Sequence, residues 1–432
     1  MLTLTRDGAG AQLVWGRADS TGQCERLAAM SAASRHDPPK RVVCHVIEGL
    51  DYGGGEILVH SLAAGAQNSG YRAIVCSLQP GPLAQRLDRD GIALHCLHLR
   101  RRSVLEGPLF VVFVLKLLWH LVRLIRSERI AIVHAHLQDS IIWSAFAGVL
   151  TGTPVVGTYH GLGVMPKGRS RWDPRNAVRR GLYRLAGRLT ARTIAVSNPV
   201  RRLLCDDLGF DDRKTVLLQN GVDTSRFEHV DDCGRARTEL GLENRAVVVC
   251  VGRLIAAKGQ RFLVDAMVDI VRRHPAAALL LVGDGPERAA LEEHVGSLNL
   301  AHCVRWAAKR NDVPELLAMA AVFVLPSFSE GIPLALVEAM AAGRPVVATA
   351  VPGNVDVVVD DRFGVLVPPR DAQALADGVC GLLDDPVRAA AIAARGRERV
   401  REHFDSRRSL AATVALYDEV LAERGRLPGR AR

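Results

Sequence analysis

Short apolar runs alternate with longer amphipathic stretches from residue 41 onwards. Each short run is typical of a buried parallel strand, and each longer stretch is typical of a helix that crosses back over the sheet. The strands predicted in this way are 41–47, 72–78, 92–97, 130–133, 154–158, 193–196, 214–218, 246–251, 276–282, 302–306, 321–325 and 345–348. Because strand and helix alternate throughout, we predict an α/β chain with doubly wound parallel sheets and right-handed crossovers.

A polar stretch without periodicity, residues 231–235, divides this pattern into two halves and is typical of an interdomain linker. The predicted segments are a disordered extension (1–40), an N-terminal Rossmann-like domain (41–224), a C-terminal Rossmann-like domain (225–404) and a last helix (about 405–423). Our hypothesis is that Met30 is an alternative start, because the folded pattern begins only at Arg41.

Composition limits the partners of this chain. With 432 residues it exceeds one ordinary hydrophobic core, which again favours two domains. The formal net charge of +10 favours anionic partners such as nucleotide phosphates or acidic lipid headgroups. No RNA-binding or helix-turn-helix signature is present, so nucleic acid is not expected. The nine scattered cysteines lack a C-x-x-C motif and indicate small buried hydrophobic residues in a reducing, cytoplasmic compartment.

The stretch 326–343 predicts a loop and a short helix at the end of a buried strand. The apolar run 321–325 is the strand, and a turn rich in proline, serine and glycine follows it. Residues 334–342 are good helix formers, and Pro333 suits the first helical position, where a missing N–H costs nothing.

This helix start predicts an anion site with two carboxylates beside it. The free N–H groups of Gly331, Ile332 and Leu334, at the positive end of a helix, suit a phosphate. Glu330 and Glu338 suit hydroxyl groups of a sugar or a ribose, because a carboxylate accepts hydrogen bonds and repels phosphate. An ordinary strand–helix unit with two surface glutamates explains the same residues about equally well.

Two other strand-to-helix turns carry candidate phosphate contacts. Arg253 and Lys258 flank the turn after 246–251, where two cations suit a diphosphate, although such charges are also common on surfaces. The glycines 53–55 follow the first strand and let the backbone approach a ligand closely. They do not form G-x-G-x-x-G, so the dinucleotide fingerprint is absent.

Histidines follow two neighbouring strands in the first half. His134 and His136 follow the strand 130–133, where alternation places them on one side of the sheet, and His160 follows 154–158. One histidine at such a position is usually structural, but three at the carboxyl ends of adjacent strands favour a ligand site. Metal binding is an alternative for these histidines, but no carboxylate or cysteine accompanies them at ligand spacing, so we assign no metal.

Residues 105–129 form an apolar stretch with basic flanks. Lys116 interrupts it, so it is not a clean membrane-spanning segment. With Trp119 and the arginines around it, this stretch predicts an interfacial helix that binds an anionic membrane through residues of about 100–129. The alternative is a core helix that covers the sheet and leaves its arginines in water.

The ordered set of motifs resembles that of the retaining glycosyltransferases of family 4, from about residue 41 to residue 423. The matching pieces are Gly53-Gly-Gly-Glu56, His134-Ala-His136, Thr158-Tyr-His-Gly161, Ala195-Val-Ser197, Asn220-Gly-Val-Asp223, Val251-Gly-Arg-Leu254 with Lys258-Gly259, Val282-Gly-Asp-Gly-Pro286, and Pro326-Ser327 with Glu330 to Glu338. The resemblance implies the GT-B fold, in which two Rossmann-like domains face each other across a cleft and the C-terminal helix returns to the N-terminal domain.

The resemblance also implies roles for the residues around the donor. Arg253 and Lys258 are expected to bind the donor diphosphate and to stabilise the departing negative charge. Glu330 is expected to hold hydroxyl groups of the donor sugar, and Glu338 the ribose. The amides of Gly331, Ile332 and Leu334 add phosphate contacts. Further expected contacts are the base with backbone near Ala307 to Lys309, the donor sugar with His136, and the phosphates and acceptor with Gly53, Gly54 and Gly55.

Departures from the family pattern affect the detail of this site. Glu330-Gly-Ile-Pro333 replaces the usual Glu-Gly-Phe-Gly, so Pro333 removes one amide. Residues 352–356 replace a Gly-Gly loop that ends in glutamate, and residues 163–173 predict a basic loop on the acceptor side.

The function expected from the resemblance is retaining, metal-independent transfer of a sugar. The donor is a nucleoside diphosphate sugar, the acceptor is lipid-linked or a polysaccharide, and no cofactor is needed. The alternative is a non-catalytic GT-B subunit that binds a nucleotide sugar or a partner glycosyltransferase.

Overall fold

Apolar runs form the strands and amphipathic stretches form the helices in the computed structural model, which describes residues 40–51, 54–100, 108–161, 174–228, 230, 233–308, 310 and 312–425. The first half contains β1 (Arg41–Ile47), β2 (Tyr71–Ser77), β3 (Ala93–Cys96), β4 (Ile130–His136), β5 (Val155–Tyr159), β6 (Arg192–Ala195) and β7 (Thr215–Leu217). The second half contains β8 (Ala246–Val251), β9 (Ala277–Val282), β10 (Val304–Ala307), β11 (Ala320–Leu325), β12 (Val346–Thr349) and β13 (Val365–Val367). Gly53, Lys309, the loop 163–173 and the predicted extension up to residue 39 lie outside the described residues.

Helices connect these strands and close the chain. Those of the first half are α1 (Gly54–Asn68), α2 (Ala84–Arg89), α3 (Pro108–Ser127), α4 (Gln138–Thr151), α5 (Pro174–Leu189) and α6 (Asn198–Arg202). Those of the second half are α7 (Gly234–Leu240), α8 (Gln260–Arg273), α9 (Arg288–Ser297), α10 (Val313–Ala318), α11 (Leu334–Ala341), α12 (Asn354–Val358), α13 (Ala372–Asp384), α14 (Pro386–His403) and α15 (Ser406–Gly425). The described residues from Val42 onwards form one compact unit.

The two sheets are parallel and doubly wound, as predicted. The first has the strand order β3-β2-β1-β4-β5-β6-β7, and the second has the order β10-β9-β8-β11-β12-β13. The order therefore reverses between β1 and β4 in one sheet and between β8 and β11 in the other. Ligands of open parallel sheets bind outside the carboxyl ends of the strands at such reversals. The topology thus marks two places where a ligand is expected.

The last helix, α15, packs on the first sheet although it follows the helices of the second half. Leu416, Tyr417 and Val420 are buried in one core with Val43 of β1 and Ile132 of β4. This arrangement confirms the predicted return of the C-terminal helix to the N-terminal half.

Helix α3 has one buried face and one exposed apolar face. Phe113, Leu117 and Leu121 are buried against the sheet, whereas Leu115 and Trp119 are 61% and 55% exposed. By length and composition alone this helix is long and apolar enough to cross a membrane. Because one of its faces belongs to the core of the first half, the helix lies on the domain.

Candidate active site

Two loops follow β8 and β11, the neighbouring strands at the reversal of the second sheet. The first loop contains a 3-10 turn, Ala256–Lys258, and the Phe328 N–H of the second loop donates to the carbonyl of Ala257 at 2.8 Å. Gly259 has a φ of 68°, and a Cβ there would lie 2.1 Å from the carbonyl oxygen of Pro326. Only glycine fits this close approach. The packing holds the two loops side by side at the carboxyl ends of their strands.

Lys258 and Glu330 meet where these loops touch. The Lys258 Nζ donates a hydrogen bond to Glu330 Oε1 at 2.6 Å, and the two side chains are 23% and 9% exposed. Lys258, the expected phosphate contact, therefore lies next to Glu330, the expected sugar contact. An ammonium has two further N–H donors and a carboxylate has further lone pairs, so both groups keep capacity for a ligand.

Arg253 lies in the same loop as Lys258, between β8 and the 3-10 turn. Its carbonyl accepts a hydrogen bond from Gln260 Nε2 at 2.9 Å, and the next residue, Leu254, donates its N–H to Asp284 O at 2.9 Å. These bonds fix the main chain, while the side chain is exposed. No carboxylate in the part of the chain that the structure describes pairs with the Arg253 guanidinium. Its charge is available to an anionic ligand.

Helix α11 begins directly after the Glu330 loop. Among the described residues, the N–H groups of Gly331, Ile332 and Leu334 have no hydrogen-bond acceptor. The sequence predicts Pro333 at the first helical position, but this prediction is wrong, because a ψ of 91° keeps Pro333 extended. The helix starts one residue later, at Leu334. Free amides at the positive end of a helix are suited to phosphate.

The two halves of the molecule touch around this helix start. A Cβ on Gly331 would lie 2.1 Å from the carbonyl oxygen of His160, the residue that follows β5. A Cβ on Gly54, at the start of α1, would lie 3.4 Å from the side chain of Leu334. Residues from the carboxyl ends of both sheets therefore border one cleft.

Glu338 lies one helical turn further along α11, and its carboxyl group has no hydrogen-bond partner among the described residues. Its half-buried carboxyl group has a pKa of about 7, because burial raises it more than the positive charge of Arg226 lowers it. A carboxyl group without a partner in such surroundings is a candidate for binding a ligand.

The predicted base contact near Ala307 is only partly described. The Ala307 side chain is buried at the end of β10, and its carbonyl already accepts the N–H of Gly283 at 2.8 Å. Contacts from Ala307 and Lys309 to a base therefore stay predictions, as does the phosphate contact of Gly53.

Four histidines lie together at the carboxyl ends of β1, β4 and β5. His45 Nδ1 is 3.2 Å from His136 Nε2, and His136 Nδ1 is 3.3 Å from His160 Nε2. His134 instead contacts the Tyr417 hydroxyl through Nδ1 at 2.5 Å, and its Nε2 contacts a threonine hydroxyl at 2.6 Å. Burial lowers the pKa of His45 to about 3 and that of His160 to about 4. These histidines are neutral at pH 7.

The geometry gives the position beside the cleft to His160 rather than to His136. His136 is fully buried, and both of its ring nitrogens already face other histidines. His160 is half-buried and its backbone touches Gly331. His136 is linked to this region through its contact with His160, and its expected contact with the donor sugar stays a prediction.

Nitrogens of His45, His134 and His136 lie within 4.8 Å of one another, a spacing that can hold a metal ion. Each of these residues already uses ring nitrogens in contacts with protein groups. A metal ion would have to replace those contacts, so we assign no metal to this cluster.

Family models match both halves of the chain. The model described as Glycosyltransferase Family 4 matches residues 52–226, and the model described as Glycosyl transferases group 1 matches residues 245–385. A galactosyltransferase of Escherichia coli, UDP-Gal:alpha-D-GlcNAc-diphosphoundecaprenol alpha-1,3-galactosyltransferase, is 30% identical over 73% of this chain and 80% of its own length. The chain belongs to glycosyltransferase family 4.

Other relatives of this glycosyltransferase use a different donor. A GDP-mannose-dependent alpha-(1-6)-phosphatidylinositol monomannoside mannosyltransferase of Mycolicibacterium smegmatis is 36% identical over 44% of this chain and 52% of its own length. The chain is thus also similar to about half of that mannosyltransferase.

Solved structures agree on the fold. The Anabaena protein Alr3699/HepE, crystallised with UDP and glucose, has a TM-score of 0.76 and 24% identity over 88% of this chain and all of its own. WaaG, described as a glycosyltransferase involved in lipopolysaccharide biosynthesis, has a TM-score of 0.69 and 18% identity over 86% of this chain and 98% of its own. Both comparisons support the GT-B fold.

Proposed function

We propose that this glycosyltransferase transfers a sugar from a nucleoside diphosphate to a lipid-linked or polysaccharide acceptor, with retention of the anomeric configuration and without a metal ion. The observation that carries the proposal is the site at the reversal of the second sheet. There the Lys258–Glu330 pair, the Arg253 cation and the free amides of Gly331, Ile332 and Leu334 lie at the ends of neighbouring strands.

Each of these groups binds a different part of the donor. Arg253, Lys258 and the amides hold the diphosphate, and they stabilise the negative charge that develops on it as the sugar departs. The Glu330 carboxylate accepts hydrogen bonds from sugar hydroxyl groups. The Glu338 carboxylate accepts hydrogen bonds from the hydroxyl groups of the ribose. The positive charge that a diphosphate needs comes from the protein, so the reaction requires no metal ion.

The reaction exchanges one bond at the anomeric carbon. The bond from that carbon to the β-phosphate oxygen breaks, and a bond from the acceptor hydroxyl oxygen forms on the same face of the sugar. The proton of the acceptor hydroxyl passes to the leaving phosphate oxygen. We assign the contact with an oxygen of the donor sugar to His160, whose main chain touches Gly331.

The relatives and helix α3 support a lipid-linked acceptor at a membrane. The Escherichia coli relative acts on a GlcNAc-diphosphoundecaprenol, and the mycobacterial relative acts on a phosphatidylinositol mannoside. On α3, Leu115 and Trp119 form part of an exposed apolar face, and Arg123 lies over the Trp119 ring at 5.3 Å. An apolar face with cations beside it suits the interface of an anionic membrane. We place the enzyme on the cytoplasmic face of the membrane.

A transfer assay tests the reaction. The enzyme is incubated with UDP-galactose, UDP-glucose or GDP-mannose and a GlcNAc-diphosphopolyprenol, and the product linkage is assigned by NMR. We expect an α-linked product from one donor, unchanged turnover in EDTA, and loss of transfer in Glu330→Ala with nucleotide binding largely kept. A β-linked product, or full turnover in Glu330→Ala, would refute the mechanism; nucleotide binding without transfer would favour a non-catalytic subunit.

Liposome co-sedimentation tests the membrane contact. We expect binding to vesicles of phosphatidylglycerol and weaker binding to vesicles of phosphatidylcholine. Leu115→Asp should weaken binding by about tenfold or more, because it places a charge in the apolar face. Val387→Asp is the matched control, since Val387 is an 82% exposed valine on α14 in the other half. Equal binding by both variants, or none by the unsubstituted protein, removes the membrane contact and leaves the transfer reaction untouched.

A further inference from the structure

A buried hydrogen-bond network connects the end of β12 to the loop that carries Glu330. The hydroxyl of Thr349, the last residue of β12, donates to the carbonyl of Ser327 at 2.5 Å. Asn354, the first residue of α12, donates through Nδ2 to the Thr349 carbonyl at 2.9 Å and to Thr349 Oγ1 at 3.2 Å. All three residues are fully buried. We name Ser327, Thr349 and Asn354 the Thr349 network.

The donors and acceptors of the Thr349 network fix its direction. The carbonyl of Thr349 can only accept a hydrogen bond, so the amide nitrogen of Asn354, and not its oxygen, must lie beside it. The same nitrogen donates to Thr349 Oγ1, which leaves the single hydroxyl proton of Thr349 for the Ser327 carbonyl. The amide of Asn354 therefore determines where the hydroxyl of Thr349 points.

An amide at position 354 carries a cost that packing alone does not explain. Asn354 Oδ1 is buried without a hydrogen-bond partner among the described residues. A buried acceptor without a partner is unfavourable, and an apolar side chain of similar size would avoid this cost. The two N–H bonds that Asn354 makes to Thr349 account for an amide in this core.

The same segment contacts the Glu330 loop through its main chain. A Cβ on Gly353 would lie 2.3 Å from the carbonyl oxygen of Gly331 and 2.9 Å from that of Glu330. The hydroxyl of Thr349 holds the other end of the loop, at Ser327. Residues 349–354 therefore contact the loop both before Glu330 and after it.

We propose that Thr349 and Asn354 are positioning residues of this enzyme, which hold the Glu330 loop in the geometry that presents its carboxylate to the donor sugar. Neither side chain touches the substrate, since both are fully buried. A displacement of about 1 Å at a reacting group can cost on the order of 100-fold in rate, so the Thr349 network acts on kcat through Glu330. This inference rests on the proposed transfer reaction for its kinetic consequence and on the hydrogen bonds alone for the fixed position of the loop.

Steady-state transfer tests the kinetic role. Thr349→Val keeps the shape and removes the hydroxyl, and Asn354→Asp keeps the shape and removes the N–H groups. Each variant should lower kcat by about tenfold or more and change the KM for the donor less than about threefold, because Arg253 and Lys258 lie on the other loop. Thr349→Ser keeps the hydroxyl and should restore most of kcat. Since both residues act on one path, Thr349→Val/Asn354→Asp should lower kcat little further than the stronger single variant.

Hydrogen exchange measures the position of the loop without any substrate. In a peptide covering 326–330, the Phe328 amide donates to the carbonyl of Ala257. This peptide should exchange about tenfold faster or more in Thr349→Val, because local opening of the loop becomes easier, and at the unsubstituted rate in Thr349→Ser. Thr190→Val is the matched control, because it removes another buried hydroxyl that donates to a carbonyl, just before β6 at the amino end of that strand. It should change neither kcat nor the exchange of the peptide.

The two measurements separate this inference from the transfer reaction. Exchange of the peptide at the unsubstituted rate in Thr349→Val overturns the proposal even if no transfer is ever detected. Equal acceleration throughout the second sheet overturns it as well, because it indicates a general loss of packing. Faster exchange of the peptide alone, without detectable transfer, supports the Thr349 network and refutes the transfer reaction instead. In an active enzyme, equal kcat for the valine and serine variants overturns the kinetic role. If Thr349→Val does not fold, the same measurements on Asn354→Asp decide.

Discussion

Gly331→Ala should block the reaction while sparing the nucleotide site. The new Cβ would lie 2.1 Å from the carbonyl oxygen of His160 and close to the main chain of Gly161. A contact of this kind needs at least about 3 Å, so the two halves must separate by about 1 Å, a displacement that can cost on the order of 100-fold in rate. That factor corresponds to about 2.7 kcal/mol of transition-state stabilisation. Alanine keeps the N–H of residue 331, so the Kd of the nucleoside diphosphate should change less than about threefold.

Steady-state transfer and calorimetric titration with the nucleoside diphosphate measure the two quantities separately. Gly296→Ala is the matched control, because no atom lies within 4 Å of a Cβ at that position in α9, and it should leave kcat and Kd unchanged. If Gly331→Ala turns over at the full rate, the contact between the halves has no part in catalysis. If it loses nucleotide binding as fully as turnover, the effect lies in the phosphate site and not in the closure of the cleft.

Three further outcomes follow from the buried charges and the histidines. Burial raises the pKa of Glu338 to about 7, so the carboxylate that accepts hydrogen bonds from the ribose hydroxyl groups forms only near neutrality. Nucleotide affinity, measured by calorimetry, should therefore rise as the pH increases through 7. The affinity of Glu338→Gln should not change over the same pH range. The lowered pKa values of His45 and His160, about 3 and 4, mean that the unfolded chain binds more protons than the folded one below about pH 6.5. Stability present above pH 6.5 should be lost as the pH falls toward 4, and urea unfolding should show a smaller loss for His45→Asn; an equal loss would contradict the assignment. Lys258→Met should lower the free energy of unfolding by about 1–3 kcal/mol, because the carboxylate of Glu330 is left almost buried and unpaired. Arg253→Met should change the free energy of unfolding by less than about 0.5 kcal/mol. Similar thermal shifts for both variants would contradict the pairing of Lys258 with Glu330.

The local sequence pattern predicts the strands, loops and helices around the site, but it does not predict which strands lie next to each other. The loops that hold Arg253, Lys258 and Glu330 are visible in the sequence, because glycine and charged residues follow apolar runs there. That β8 lies next to β11 is not visible, since strand order depends on where each crossover helix packs. The ion pair between Lys258 and Glu330 is therefore a finding of the structure.

The histidines show the same limit. Alternation along β4 predicts that His134 and His136 share a face of the sheet, which the contact between their rings confirms. His45 was not singled out, because one histidine inside an apolar strand is usually a core residue. Its register opposite His134 links it to the others and is known only from the strand pairing. Strand β13 was missed as well, since Val365–Val367 is a run of only 3 residues.

The central claim is that the cleft beside α11 binds a nucleoside diphosphate sugar between Arg253, Lys258 and free amides. A thermal-shift screen of UDP-, GDP- and ADP-sugars tests it most directly, with Arg253→Ala/Lys258→Ala as the comparison. One sugar nucleotide, at about 100 times its Kd, should stabilise the unsubstituted protein by about 2.7 kcal/mol and leave the double variant unshifted. No shift with any of these ligands, or an equal shift in the double variant, would contradict the claim.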